Sequence, residues 1–89
     1  MTRRRIRWEI YLEILEILYY GKGIVRTELM GRIGTTYELL KGYLSHLETR
    51  GLIRIISEAG RERVEITEKG KGVFKEYKKL MAKIKKLLV

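Results

Sequence analysis

The chain contains no cysteine, proline, aspartate, asparagine or glutamine. Without thiols, disulfide bridges and thiolate chemistry are excluded. Its only histidine, His46, has no second imidazole or thiol to begin a metal site. Ser45 is its sequence neighbour, but adjacent helix positions point apart, and only glutamate is present to orient a Ser-His pair. The expectation is a protein that is not an enzyme, with no metal, no cofactor and no evident small-molecule substrate. No apolar run approaches the roughly 20 residues that span a bilayer. Met1-Thr2-Arg3-Arg4-Arg5 leads into an amphipathic segment carrying Glu9, Glu13 and Glu16, not into an apolar secretory core. A cytoplasmic protein without a membrane partner is expected. The missing amides and thiols, beside abundant Lys, Arg and Glu, also suit a hyperthermophile.

What is present is charge. The 20 Lys and Arg outweigh 11 acidic residues to give +9, which favours a polyanionic partner such as nucleic acid or, less often, an acidic membrane surface. A chain of 89 residues allows one domain, with a core near the lower limit for independent stability, so self-association would help it. There is no repeat or low-complexity linker, and the one composition shift is the Lys-rich end from Lys69 onward.

Residues 6–20 repeat Ile6, Ile10, Ile14, Ile17 and Leu18 at helical spacing, and Trp8, Tyr11, Leu12, Leu15 and Tyr19 widen the apolar surface beyond one stripe. The spacing predicts a helix that meets both its own core and a second surface. Gly21-Lys22-Gly23 ends it, and Ile24-Val25 offers a short strand. Thr27 is placed to cap a short helix through Ile33, with Glu28 in its first turn; Gly31 inside that helix implies close packing. Gly34 turns the chain into Thr35-Thr36-Tyr37-Glu38, a helix start in which Thr35 and Glu38 have capping-box spacing. Leu40, Tyr43, Leu44 and Leu47 continue that helix to Gly51. Residues 52–56 and 63–66 read as strands around a Glu58-Ala59-Gly60 turn. Helix, tight turn, helix and hairpin make an α+β winged helix-turn-helix.

The last helix, from Thr67 to about Leu88, alternates spacings of four and three at Val73, Tyr77, Leu80, Ile84 and Leu87, with Phe74, Met81 and Leu88 on the same stripe. About three turns are expected to project beyond the domain, which makes this an extended C-terminal dimerisation helix. A Lys-rich amphipathic helix could also lie on a membrane surface, a weaker reading beside a complete winged helix. The layout is then a basic arm at 1–5, a winged-helix domain at 6–66 and the dimerisation helix at 67–89.

The succession Gly23-Ile24-Val25-Arg26-Thr27-Glu28-Leu29, then Tyr37 to Leu47, then Gly51-Leu52-Ile53, then Ile66-Thr67-Glu68-Lys69-Gly70 resembles archaeal winged-helix DNA-binding proteins. Over nearly the whole chain it is similar in layout to the Sulfolobus ten-a chromatin-protein family. That resemblance implies a nucleoid-associated protein binding double-stranded DNA as a homodimer, through an antiparallel coiled coil of the last helix. Regulating transcription and packaging DNA both fit; a winged-helix module recruiting protein partners is the alternative.

Candidate DNA contacts follow from position. Thr35, Glu38, Gly42, Ser45 and Thr49 face outward from the Leu40, Leu44 and Leu47 stripe, with Lys41 at the edge. A solvated face would be polar as well. Thr35, Thr36 and Ser45 suit phosphate or single hydrogen bonds, Lys41 supplies charge, and Glu38 either reads cytosine or closes the capping box. With no Arg, Asn or Gln on that face, base discrimination should be weak. His46 is expected on the helix surface near DNA. Arg61 and Arg63 flank the wing turn, and Arg3, Arg4, Arg5 and Arg7 form an N-terminal basic cluster able to act as an arm; both groups suit phosphates or a minor groove, or are simply solvated. The expected dimer interface is Val73, Tyr77, Leu80, Met81, Ile84, Leu87 and Leu88.

Overall fold

The computed structural model describes residues 7–88, so the expected arm residues Arg3, Arg4 and Arg5 lie outside the described residues. The elements run α1 (Arg7–Tyr20), β1 (Ile24–Val25), α2 (Arg26–Ile33), α3 (Tyr37–Thr49), β2 (Ile53–Glu58), β3 (Arg61–Ile66) and α4 (Glu68–Leu88). Apolar residues at helical spacing bury Ile10, Ile14, Leu15 and Leu18 of α1 and Leu40, Leu44 and Leu47 of α3. With Leu29, Ile33, Ile53, Val64 and Phe74 they make one continuous core. Each such side chain contributes roughly 1.5–3 kcal/mol by leaving water.

The sheet is antiparallel in the order β1-β3-β2. Its hairpin is longer than the expected strands at 52–56 and 63–66, because pairing continues to Glu58↔Arg61. Ala59 and Gly60, at φ 48° and 76°, supply the two positive φ angles of a type I′ turn, whose twist lets the ladder run to the loop. Ile24 and Val25 add the expected short strand on the open edge of β3, opposite Val64 and Arg63.

Helix ends depart from expectation in two places. Val25, not Thr27, is the N-cap of α2, with no side-chain hydrogen bond, because β1 runs straight into the helix and puts Thr27 inside the first turn. For α3 the cap is Thr36, whose hydroxyl accepts from the Leu39 amide at 3.3 Å. That one-residue shift puts Leu39 three positions after the cap, so the Thr35–Glu38 capping box is not formed. The end of α3 is as expected: Gly51 at φ 74° lets its own amide donate to Glu48 O and the Leu52 amide to Leu47 O, the paired bonds of a left-handed helix stop.

The close packing expected at Gly31 is found instead at other glycines, against backbone most tightly at Gly70. A Cβ on Gly31 would meet nothing, whereas one on Gly70 would collide with the Leu52 carbonyl oxygen and the Ile66 side chain. Gly70 lies in the first turn of α4, where Thr67 acts twice: its hydroxyl donates to Gly51 O at 2.6 Å and accepts from Gly70 N at 3.1 Å. Lys69 Nζ donates to Arg50 O at 2.8 Å, so the start of α4 is fastened to the end of α3.

These two glycines yield opposite expectations. Gly70→Ala should destabilise the fold by about 1–3 kcal/mol through overpacking. Gly31→Ala, in open space inside a helix, should stabilise by up to about 1 kcal/mol. Urea unfolding of both variants checks the pair, and equal effects of one sign would contradict the packing described.

Candidate nucleic-acid interface

Burial of Leu40, Leu44 and Leu47 turns the opposite face of α3 outward. Thr36, Glu38, Lys41, Gly42, Ser45 and Thr49 are exposed along it, and Thr35, just before the helix, is half-buried. The Thr49 hydroxyl is committed to Ser45 O at 2.8 Å. Two exposed residues on this helix are not evident from sequence: Tyr37, 50 % exposed, and Leu39, 53 % exposed. By residue type alone Tyr37 and Leu39 look like core positions. Only the phase set by the Leu40 stripe shows otherwise.

His46 does not join this face. Its ring stacks on Tyr11 of α1, with centroids 4.6 Å apart and planes 8° apart, and Tyr11 also meets Tyr43 edge-on at 5.8 Å. His46 Nδ1 lies 3.1 Å from Arg50 Nη1. A guanidinium only donates, so Nδ1 accepts and the imidazole is held neutral. Partial removal from water, followed by the charges of Arg50 and Arg7, lowers the His46 pKa below its ordinary 6.5. His46, expected on the helix surface, is half-buried there and braces α3 against α1.

Alternation along the hairpin sorts its side chains. Ile53, Ile55, Glu62, Val64 and Ile66 lie on the face toward the helices, leaving Arg54, Arg61 and Arg63 on the outer face. Arg61 flanks the turn as expected, opposite Glu58. Arg63 stands two residues back, opposite Ile56 and Val25, with its side chain drawn over Gly23, where an added Cβ would approach Arg63 Cδ to 2.5 Å. The missing side chain of Gly23 makes that position possible. Arg54, absent from the sequence-based candidates, shares a shallow depression with Arg63, Lys22 and Lys71. A second depression is bounded by Tyr37 at the start of α3, by Thr27 and Glu28 of α2, and by Gly60 and Arg61 at the wing tip. The start of α3 and the tip of the hairpin therefore open onto one hollow.

The expected seam on α4 divides in two. Phe74 is buried, and Tyr77 and Met81 are half-buried and line a groove against Trp8, Leu12 and Glu16 of α1. Tyr77 and Met81 are thus turned largely toward their own chain, because Phe74, Tyr77 and Met81 share the stripe that meets α1. Val73, Leu80, Ile84, Leu87 and Leu88 remain exposed, as does Trp8. Among the described residues no group of three or more potential ligands is placed to hold a metal ion, and no helix is long and apolar enough to cross a membrane.

Three helices, a helix-turn-helix at α2–α3 and a hairpin backed by β1 define a winged helix, here followed by a long fourth helix. The chain belongs to the winged helix-turn-helix family, whose model matches residues 4–85. The fold is similar to that of MepR, a transcription regulator of the Staphylococcus aureus multidrug efflux pump MepA, at TM-score 0.83 and 18% identity over 89% of this chain. This chain spans 61% of MepR. MepR in complex with DNA matches at TM-score 0.79 and 17% identity, over 85% of this chain and 65% of that one. Sso10a-2, a DNA-binding protein from Sulfolobus solfataricus, matches at TM-score 0.75 and 27% identity, over 96% of this chain and 86% of that one. A search of curated protein sequences finds no match.

The state of His46 carries a pH expectation. Its folded pKa is depressed, so the unfolded chain takes up a proton first, and stability that is complete above 6.5 is lost as pH falls toward the folded value. An NMR titration of the ring should give a midpoint below 6.5, and His46→Ala should flatten the loss of stability on that acid limb. A midpoint at or above the ordinary value would contradict the assigned Nδ1 acceptor.

Proposed function

We propose that this protein binds double-stranded DNA, with the exposed face of α3 in a groove and the outer face of the wing along the backbone, and acts as a transcriptional regulator or chromatin protein. The observation that carries this reading is the hollow shared by Tyr37 of α3 and Arg61 of the wing tip. It lets one duplex meet both elements. The formal charge of +9 supplies attraction for phosphates, and the DNA-binding Sso10a-2 has the same layout over 96% of this chain. Thr36, Tyr37 and Ser45 offer hydroxyls, and Lys41, Arg54, Arg61 and Arg63 offer charge; Arg3, Arg4 and Arg5 add to it from outside the described residues. Apart from Lys41, which can reach guanine, none of the α3 groups offers the paired hydrogen bonds that separate guanine or adenine from other bases. Recognition is therefore mainly of the backbone, which suits a nucleoid-associated protein of the cytoplasm.

The working unit in this reading is a homodimer joined along α4. Leu80, Leu87 and Leu88 are 57 %, 83 % and 80 % exposed, on a helix about 32 Å long at roughly 1.5 Å per residue. Among the described residues nothing covers them, and a second copy of α4 supplies an equal apolar stripe. The exposure of Leu39 on α3 favours a second reading, in which this face docks on a protein partner.

Fluorescence anisotropy with specific, random and single-stranded DNA at two salt concentrations tests the proposal. Duplex binding should weaken with salt, and Arg54→Ala with Arg61→Ala and Arg63→Ala should flatten the slope by about 0.9 for each phosphate no longer neutralised. Preference for any one duplex over random sequence should fall near or below about 10³. An unchanged slope in the triple variant would leave the wing merely solvated, and absence of duplex binding would leave the protein-docking reading. For assembly, sedimentation equilibrium should show a dimer that Leu80→Glu with Ile84→Glu converts to monomer. A wild-type monomer at micromolar concentration would refute the α4 interface.

A further inference from the structure

Arg26 is the first residue of α2 and follows β1 directly. Extending the register Ile24↔Val64 and Val25↔Arg63 by one step sets Arg26 opposite Glu62 of the wing. Arg26 Nη1 lies 2.7 Å from Glu62 Oε1, and the same nitrogen donates to the Tyr37 hydroxyl at 2.9 Å. The guanidinium carbon stands 5.2 Å from the centroid of the Tyr37 ring. Tyr37 opens α3, so one cation touches the wing strand and the recognition helix while belonging to neither. The Arg26 side chain is 14 % exposed, and its Nε is fully covered with no hydrogen-bond partner. Burying a guanidinium with an unsatisfied N–H is costly, and an apolar residue would fill the site more cheaply. What an apolar residue would not supply is a directional link between Glu62 and Tyr37.

We propose that Arg26 is a positioning residue that fixes the wing at a set angle to the recognition helix, so that both elements engage one duplex together. The functional part of this inference rests on the duplex-binding reading. Two contacts held in fixed geometry bind as one, because the second forms at high effective concentration once the first is made. A wing that swings freely loses ordering entropy on binding, and its contacts then contribute less to affinity. Glu62 and Tyr37 are the two ends of the link: Glu62 carries the charge that draws Arg26 to the wing, and Tyr37 provides both a hydrogen-bond acceptor and a ring face.

Because the chain has no cysteine, spin labels can be placed at Glu58→Cys in the wing and Ser45→Cys in α3 without further changes. Electron–electron distance measurements on free protein diluted with unlabelled chain should give a narrow distribution, broadened by Arg26→Met and by Glu62→Gln. Glu62→Gln keeps the side-chain shape, so it carries the test if Arg26→Met fails to fold. Duplex affinity is then measured as a cycle pairing Glu62→Gln with Arg61→Ala. The loss caused by Arg61→Ala should shrink by at least about twofold when the link is cut, the low end of coupling between interacting residues. An unchanged distance distribution overturns the proposal even where duplex binding is intact. Additive losses overturn its functional half. Broadening in a protein that binds no duplex supports the mechanical link and removes the duplex reading instead.

Discussion

The joint between α3 and α4 is the constraint on which the other arrangements depend. Thr67 donates from its amide to Leu52 O at 3.1 Å and from its hydroxyl to Gly51 O, while Lys69 reaches Arg50 O. All three acceptors lie just past the C-terminal end of α3, where carbonyls lack helical partners. Lys69 also places a cation at the negative end of the helix dipole. Gly70 allows the two segments to approach until the α4 backbone lies against the Leu52 carbonyl. The direction of α4 is thereby tied to the direction of α3. In a homodimer built on α4, that joint would also set the spacing and angle between two recognition helices.

A second connection operates at the other end of α3. Arg26 ties Tyr37 to the wing, and the His46–Tyr11 stack ties the middle of the helix to α1. Helix α3 is thus held at its start, middle and end by three different elements, using polar or aromatic contacts near the surface as well as the apolar stripe beneath. An apolar stripe alone specifies which face is buried but tolerates some rotation and sliding. Directional bonds at both ends remove that freedom. This explains how a domain with a small core can hold an exposed helix in a defined attitude.

Most of the architecture was legible in the chain because it rests on local signals. Helical spacing located α1, α3 and α4, Gly51 marked the stop of α3, and Ala59-Gly60 supplied the turn. Failures occurred where two local solutions were equally good or where a partner was distant in sequence. Thr35 and Thr36 both satisfy a capping rule, and the choice between them depends on where α2 releases the chain. Gly31 and Gly70 are the same residue type, and only the approach of Leu52 and Ile66 distinguishes them. On α4 the Phe74–Tyr77–Met81 stripe adjoins the Val73–Leu80–Ile84–Leu87 stripe, so periodicity merges what the packing of α1 separates. Arg26 gave no sequence signal, since its role follows from strand register.

The same contrast bears on how function is encoded. The groups available for phosphate contact are spread over α3 and the outer wing face, and each is an ordinary surface Lys, Arg, Thr, Ser or Tyr. Their significance comes from being presented together, which is a property of the supporting contacts. A substitution at Arg61 would remove one charge, whereas one at Gly70 or Arg26 would change the relation among many. Backbone recognition, as proposed, would make this distinction sharper, because phosphates repeat along the duplex and any single ionic contact is replaceable by a neighbour. The separation between contacts is not replaceable, since it must match the fixed geometry of the groove. In the proposed mode of binding, selection would therefore act more strongly on the residues that hold α3, the wing and α4 in register than on most of the cations they present.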